Sequence, residues 1–328
     1  MGGPRRRATS WAIVAAAVLT MTSACGGKGE QGGSQPRVVD WPALRTLGIA
    51  QVETDRARTW VLTLVPTESG GNLFSVDPDT LLVQRVPIDS WLQLIVTGGG
   101  QLWALSGDGS QLLFIDETTH DVRTQNLALP CDVTAEPTGV VAAGTLWLSC
   151  NGRISVYEPT GGARRDVSAP RSSHLLASRD GVWVVADSAL VGIGGAVKGR
   201  RISVPGGEDA RLWQSSGDDA WAVELAAQER VLIHVDLGSG AVTRFTIPTG
   251  SDQIDDLAVG AHELWVVLSE EPVLLRLDRA QPTRILERFD LRSEEPADDS
   301  VLSVNAGVSY AWIEMYGDHK TKLLLLQD

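Results

Sequence analysis

Residues 219–247 read DAWAVELAAQERVLIHVDLGSGAVTRFTI and carry the pattern that decides the fold. Trp221 stands in a short apolar run, and two further runs rich in valine, isoleucine, threonine and phenylalanine follow at 231–235 and 242–247. Runs of this length and composition are typical of β-strands. The turn DLGSG at 236–240 supplies aspartate and glycine, which favour a tight hairpin. The stretch therefore predicts three consecutive antiparallel strands.

The same pattern recurs seven times, each time with a tryptophan at its centre. These are Trp60, Trp103, Trp147, Trp183, Trp221, Trp265 and Trp312. Their spacings run from 36 to 47 residues with a mean of 42, which is the period of a four-stranded propeller blade. Because one flat aromatic per blade at one strand position suits packing between blades, we assign these tryptophans a structural role. The prediction is an all-β, seven-bladed propeller of four-stranded antiparallel blades over residues 36–328.

The ends of this predicted domain complement each other. After Asp299 the sequence offers only three strands, at 301–304, 311–315 and 323–326. The segment Arg37–Trp41 (RVVDW) has the composition of a strand and is predicted to supply the missing outer one. Such closure removes an edge that would otherwise invite aggregation.

The N-terminus has the layout of an export signal. Three arginines at 5–7 precede the apolar run WAIVAAAVL at 11–19 and the small, polar residues 20–24. This arrangement predicts a signal peptide over residues 1–24, and the apolar run is too short to span a bilayer as a helix.

Cys25 follows Ser23 and Ala24 directly, and this ending resembles the lipobox of bacterial lipoproteins. The resemblance implies that the thiol is acylated, with chains such as palmitate, and anchors the protein on the extracytoplasmic face of the cell membrane. Thr22 departs from the aliphatic residue usual at its place, so a plain secretory signal with an incidental cysteine is the alternative. Residues 25–35 are interpreted as the lipidated cysteine and a flexible tether.

Two cysteines remain in the exported part. An oxidising compartment and an even number predict a disulfide between Cys131 and Cys150. We expect Cys131 to begin the first strand of the third blade and Cys150 to end its second strand, where antiparallel neighbours bring them together. Two buried thiols are the alternative.

The Leu-Trp pair of the second strand and the turn D-x-x-[ST]-G-x-V, seen best at Asp236–Val242, resemble the bacterial seven-bladed propellers of the NHL, YVTN-type and virginiamycin B lyase-like groups. The resemblance implies architecture rather than activity. The chain has no Trp-Asp dipeptide and so does not resemble WD-repeat proteins. Lyase-like members use histidines and a glutamate near the centre of the ring, and no matching histidine pair is found in this sequence.

No catalytic constellation emerges from the sequence. The five histidines are far apart, and the sequence contains neither H-E-x-x-H nor G-x-S-x-G. We therefore assign no catalytic residue, and an enzyme is the less favoured class.

Acidic residues concentrate in the segments that join one predicted blade to the next, with aromatic and basic residues beside them. The candidate site residues are Asp89, Asp132, His174, Asp209, Arg211, Asp255, Asp256, Asp298, Asp299, Trp91 and Trp213. Because these connections lie on one face of a propeller near its axis, we expect an acidic mouth there. Such a mouth could hold a divalent cation such as calcium, a cationic ligand or a basic protein segment. Solvated loop acids are the alternative.

Three functional hypotheses remain, of which the third is a purely structural part of a larger envelope assembly, predicting an exposed apolar patch on the side of the ring. The first is a membrane-anchored scaffold or sensor that binds an envelope protein or a small ligand at the acidic mouth. The second is a divalent-metal-dependent hydrolase or lyase, which requires convergence of three or four of Asp132, His174, Asp209, Asp256 and Asp299. The net charge of −13, which becomes −16 when residues 1–24 remove three arginines and no acid, argues against a nucleic acid partner. No cofactor is certain.

Overall fold

The computed structural model describes the residue ranges 37–39, 41, 48–54, 58–64, 72–88, 90–127, 131, 137–150, 152–159, 165–170, 174–224, 231–247, 254–268, 273–291, 302–307, 310–317 and 320–327. Within them the chain forms seven four-stranded antiparallel sheets, which are the blades of a propeller. Six blades consist of four strands consecutive in sequence. The prediction of an all-β, seven-bladed propeller is confirmed.

Within each blade the strands follow one another from the innermost to the outermost. Blade 1 contains β2 (Gly48–Thr54), β3 (Thr59–Leu64), β4 (Asn72–Val76) and β5 (Val83–Val86). Blade 2 contains β6 (Leu92–Gly98), β7 (Gln101–Ser106), β8 (Gln111–Asp116) and β9 (Val122–Asn126). Blade 3 contains β10 (Thr138–Ala142), β11 (Thr145–Cys150), β12 (Arg153–Tyr157) and β13 (Arg165–Val167). Blade 4 contains β14 (Leu175–Ser178), β15 (Gly181–Ala186), β16 (Ala189–Gly195) and β17 (Arg201–Ser203).

The remaining blades have the same order. Blade 5 contains β18 (Ala210–Ser216), β19 (Asp219–Glu224), β20 (Val231–Asp236) and β21 (Val242–Thr246), preceded by a 3₁₀ helix, Gly207–Asp209. Blade 6 contains β22 (Ile254–Val259), β23 (Glu263–Leu268), β24 (Val273–Asp278) and β25 (Gln281–Asp290). Blade 7 contains β26 (Leu302–Ala306), β27 (Tyr310–Gly317), β28 (Lys320–Gln327) and, as its outer strand, β1 (Arg37–Val38). In the described part of the chain, no helix is long and apolar enough to cross a membrane.

The N-terminal strand closes the ring, as the sequence predicts. Arg37 pairs with Leu325, and the amide of Val39 donates to the carbonyl of Leu323 at 3.1 Å. The indole of Trp312 in blade 7 also donates to the hydroxyl of Thr59 in blade 1 at 2.6 Å. The first and last blades are therefore joined by a strand pair and by a buried side-chain hydrogen bond.

The seven repeat tryptophans are buried, with between 0% and 5% of their surface exposed. Each packs in one apolar cluster with residues of the next blade, as Trp221 of blade 5 does with Leu257 and Leu277 of blade 6. Burial of so large a side chain at every blade boundary is a major part of the apolar surface removed from water. Their predicted structural role is confirmed.

The hairpins between third and fourth strands use the aspartates that the sequence indicates. Asp77, Asp116 and Asp236 each accept hydrogen bonds of 2.8–3.0 Å from the backbone amides two and three residues further on. These bonds favour the ionised carboxylate, so backbone donation lowers the pKa of all three side chains. The aspartates therefore fix the hairpins that stabilise the outer part of three blades.

The disulfide is present, but one of its cysteines lies elsewhere than expected. Cys131 and Cys150 are bonded with their Cα atoms 5.6 Å apart. Cys131 lies ahead of β10 rather than at its start, because its amide donates to the carbonyl of Gly109 in the β7–β8 turn at 2.8 Å. The segment that links blade 2 to blade 3 is therefore held on blade 2 before it enters the next sheet.

Candidate functional site

The antiparallel order of the strands gives the propeller two distinct faces. We call the side with the turns between first and second strands, and between third and fourth strands, the hairpin face. The side with the turns between second and third strands, and with the links between blades, is the connection face. The candidate site residues that the structure describes lie in or next to the links of the connection face.

The structure describes seven of these candidates, and the other four lie outside the described residues. Described are Trp91, His174, Asp209, Arg211, Trp213, Asp255 and Asp256. Outside lie Asp89, Asp132, Asp298 and Asp299, together with the predicted lipidation site Cys25. Within the described part of the chain, no three histidine, cysteine, aspartate or glutamate side chains are grouped so that they could hold a metal ion.

Trp91 is the large aromatic side chain that the connection face presents to solvent. It is 42% exposed, and its carbonyl accepts a hydrogen bond of 2.6 Å from the amide of Gly107 in the β7–β8 turn. The indole ring lies directly on Gly107, where any side chain would overlap with it. Asp108 follows in the same turn, and hydrogen bonds from Ser106 and Ser110 lower its pKa to about 2. The exposed indole thus packs on the turn that contains the Asp108 carboxylate.

His174, Arg211 and Asp256 occupy one equivalent position in three successive blades. Arg211 and Asp256 pair with the residue two places after the blade tryptophan, Val223 and Val267 respectively. His174 has the same relation to Val185, whose amide donates to its carbonyl at 3.2 Å. Three of the candidates therefore share one structural position in successive blades.

The charges at this position differ from blade to blade. The side chain of His174 is exposed. Its pKa is nevertheless lowered, first because neighbouring residues remove part of its hydration and second because the positive charge of Arg211 disfavours protonation. The imidazole is therefore more readily neutral than a free histidine. This part of the ring carries a cation and a neutral base rather than carboxylates alone.

Asp256 joins two blades. Its carboxylate accepts hydrogen bonds of 2.8 Å from the amide of Val304 in blade 7 and from the amide of Leu257. Burial raises its pKa in spite of these bonds. Gln51 does the same between blades 1 and 2, where its amide group exchanges two hydrogen bonds with the backbone of Ile95. One oxygen of Asp256 thus serves the blade junction, and the other accepts a bond within its own strand.

Trp213 does not lie at the surface of the mouth. It is buried in the apolar cluster that contains Leu176 and Trp183 of blade 4. The reason is a bulge in β18, where Leu212 adopts a positive φ of 55° and shifts the register of the strand. A bulge reverses the direction of the side chains that follow, which a sequence pattern alone does not reveal.

Glu53 of blade 1 and Glu314 of blade 7 form an acidic pair, coupled through their charges, that sequence reasoning missed. Glu314 is 2% exposed, and the amide of Gln51 donates to Glu53 at 2.9 Å. Burial raises the pKa of Glu53 to about 7, with a smaller contribution from the charge of Glu314, while bonds from Gln51 and Thr97 oppose the shift. The sequence contains a sign of this pair, because Glu314 stands two residues after its blade tryptophan, where the other six blades have uncharged residues.

Two cavities lie between neighbouring blades on the hairpin face. The one between blades 5 and 6 has a volume of about 520 Å³. At its edge Asp219 contacts both His234 and Arg279 at 2.6 Å, and His234 stacks on Trp221 with ring centroids 4.3 Å apart. Arg279 also donates to the carbonyls of Gly260 and Ser216, so these charges mainly hold two turns together. The second cavity, between blades 3 and 4, has a volume of about 390 Å³.

Fold and sheet order define the chain as a seven-bladed β-propeller. No protein-family model matches it, and no curated protein matches it in sequence. Solved structures match in fold. The WD40 domain of Pan2 from Neurospora crassa has a TM-score of 0.58 and 9% identity, over 88% of this chain and 93% of that one. YCF48 from Cyanidioschyzon merolae has a TM-score of 0.57 and 10% identity, over 88% and 98%.

A third propeller of similar size also matches. The WD40 domain of coronin from Toxoplasma gondii has a TM-score of 0.53 and 10% identity, and the match covers 89% of this chain and 86% of that one. At such low identities the likeness concerns the fold alone, because propellers host many unrelated functions. The chain therefore shares the propeller fold with these WD40 domains, although its sequence has no Trp-Asp dipeptide.

Proposed function

We propose that the chain is a lipoprotein, anchored through Cys25 on the extracytoplasmic face of the cell membrane, whose propeller binds a basic segment of an envelope protein at the connection face. The anchor rests on the signal layout of residues 1–24 and on the cysteine that follows. A single acyl chain holds a protein on a membrane weakly, whereas two or three give stable anchoring. A small cationic ligand is the other occupant that this chemistry would accept.

The observation that carries the proposal is the exposure of Trp91 on the connection face. Tryptophans are enriched among the residues that dominate binding energy, and their ring faces attract cations. Since the carbonyl of Trp91 is bonded to Gly107 and its ring rests on that glycine, little conformational entropy is lost when a partner covers it.

Charge on the same face favours a basic partner. Exposed carboxylates lie in its turns and links at Asp108, Asp187, Glu208, Asp209 and Asp255. A net charge of −13 for the whole chain adds a long-range attraction for cations. Arg211 lies within this set and would select against ligands that present only positive charge at that point.

The anchor is tested by labelling cells with a fatty acid that carries an alkyne and separating membrane from soluble fractions. Wild-type protein should take up the label and sediment with membranes, and Cys25→Ser should do neither. Thr22→Leu is the matched control, because it restores the aliphatic residue usual in a lipobox and should keep both properties. Unlabelled wild-type protein, or labelled Cys25→Ser protein, would refute the anchor.

The binding surface is tested with full-length protein and a fluorescent nonalysine peptide in an anisotropy titration. We expect binding that weakens with salt and that drops on Trp91→Ala and on the double change Asp209→Asn with Asp255→Asn. Leu82→Ala is the control, since Leu82 is 57% exposed but belongs to the hairpin that leads into the outer strand of blade 1. Binding that ignores Trp91, or that falls equally in the control, would contradict the proposal.

A further inference from the structure

The cavity between blades 3 and 4 opens on the hairpin face, on the opposite side of the ring from Trp91. Its volume is about 390 Å³, within the range of small-molecule sites. Blade 3 contributes Ala142, Trp147 and Val156 to its walls, and blade 4 contributes Val182 and the backbone of Gly181. Its walls therefore combine apolar side chains and one indole ring with the polar side chains of Thr145 and Ser178.

A single position explains why the indole at this boundary packs differently from the others. In the other six blades, the third-strand residue paired with the neighbour before the tryptophan is a large, buried apolar side chain. These residues are Val76, Ile115, Tyr157, Val235, Leu277 and Leu326. Each belongs to the same apolar cluster as the tryptophan of the preceding blade. Blade 4 has Gly194 at this position.

The missing side chain changes the packing of Trp147. A Cβ atom at Gly194 would overlap with the far edge of the Trp147 ring, so the indole occupies the room that a side chain takes in the other blades. A register shift between Val182 and Trp183 accompanies the glycine. Gly195, with φ of 68°, completes the cavity at a point where a side chain would meet the backbone of Asp180. The cavity is thus built into blade 4 by its sequence.

Charges of both signs surround the opening. Glu158 and Asp180 bring carboxylates, and Arg165 and Arg179 bring guanidinium groups, all four on exposed side chains that line the cavity. Arg179 also lies 3.6 Å from Asp218 of the next blade. A rim with both charges around an apolar slot matches a ligand that carries an ammonium and a carboxylate beside an apolar group.

We propose that this cavity binds a free α-amino acid with an aromatic side chain, or a close zwitterionic analogue. The apolar group enters the cavity beside Trp147 and Ala142, where burial of the ring and its contact with the indole supply the affinity. The ammonium faces Glu158 and Asp180, and the carboxylate faces Arg165 and Arg179. The site lies on the hairpin face and is independent of the anchor and of Trp91.

The test is isothermal titration of the full-length protein with L-phenylalanine, phenethylamine and 3-phenylpropionate. The second compound lacks the carboxylate and the third lacks the ammonium. L-Phenylalanine should bind at least about tenfold more tightly than either analogue, because each loses one charge-assisted contact. Equal affinity for all three, or no heat of binding with L-phenylalanine at millimolar concentration, would overturn the proposal.

Gly194→Val tests the geometry. The φ of Gly194 lies outside the left-handed region, and a valine side chain there would overlap with the Trp147 ring and displace the indole. We expect binding to be lost, with a melting temperature at or below that of the wild type because the indole must move. Ala241→Val, on an exposed residue of blade 5, is the control and should bind as the wild type does.

Rim variants keep the test decisive if Gly194→Val fails to fold. Arg165→Gln should weaken 3-phenylpropionate and leave phenethylamine unchanged, and Glu158→Gln should do the reverse. Binding that persists in a folded Gly194→Val protein, or rim variants that affect both analogues alike, would refute the assignment.

Discussion

Replacing Glu53 with glutamine should make the stability of the propeller much less dependent on pH. Glu53 lies on the innermost strand of blade 1, bonded to Gln51 of the same strand and to Thr97 of blade 2, and repelled by the charge of Glu314 in blade 7. Burial raises its pKa from 4.5 to about 7. Glutamine keeps an acceptor oxygen for the Gln51 amide and removes the charge. The variant therefore isolates the titration of one carboxyl on the innermost strand of blade 1.

The sign follows from which state holds the proton. The folded protein keeps it up to about pH 7, whereas the unfolded chain releases it near pH 4.5. The stabilisation is therefore fully present below pH 4.5 and is lost as the pH rises through 7. From these two pKa values, the ionisation of Glu53 should lower the free energy of unfolding of the wild type by roughly 2 to 3 kcal/mol between pH 5 and pH 8.

The assay is urea denaturation of wild type and Glu53→Gln at pH 5, 6, 7 and 8. Glu53→Gln should equal the wild type near pH 5 and exceed it by roughly 2 kcal/mol at pH 8. His120 and His174, whose pKa values burial lowers, shift stability the opposite way, but both proteins contain them and their effect cancels in the difference. Glu158→Gln, on an exposed residue, is the control. A difference between wild type and Glu53→Gln that stays constant with pH would refute the reasoning.

Three further predictions concern the disulfide and Asp256. The double change Cys131→Ser and Cys150→Ser opens a loop of 19 residues and should lower the free energy of unfolding by about 3 kcal/mol. The melting temperature should fall and no longer respond to a reductant. Equal melting temperatures with and without the bond would contradict this. Asp256→Ala should lower the free energy of unfolding by about 1 to 3 kcal/mol, because the Val304 amide loses its acceptor. Hydrogen exchange at that amide should become faster, and unchanged exchange would contradict the bond. Calorimetric titration of the full chain with calcium should show no tight stoichiometric ion, because both Asp256 oxygens already bind backbone amides; one ion lost on Asp256→Asn would favour the metal-dependent hydrolase or lyase.

The architecture was predictable because its determinants are local and repeated. One tryptophan at the same strand position in each blade, and turns such as Asp236–Gly240, report blade number and strand order from sequence alone. The closure by β1 was also predictable, since a strand without a partner stood at each end of the domain. These signals survive because packing between blades demands the same residue type seven times.

The side-chain environments were not predictable in the same way. Trp213 is buried and Asp256 serves a blade junction because bulges in β18 and β22 change the register, and the sequence carries no mark of a bulge. The cavity beside Trp147 required a comparison of Gly194 with its equivalents, which is possible only once the pairing is known. Function in this fold depends on such exceptions to the repeat rather than on the repeat itself.

The central claim, that Trp91 on the connection face meets a basic segment of an envelope protein, can be measured directly in living cells. A photo-crosslinking amino acid would replace Trp91 in one strain and Leu82 in another, and the membrane fraction would be probed after irradiation. We predict a discrete cross-linked species from position 91, absent from position 82, whose cross-linked peptide is rich in lysine or arginine. No species from position 91, the same species from both positions, or an acidic or neutral peptide would contradict it.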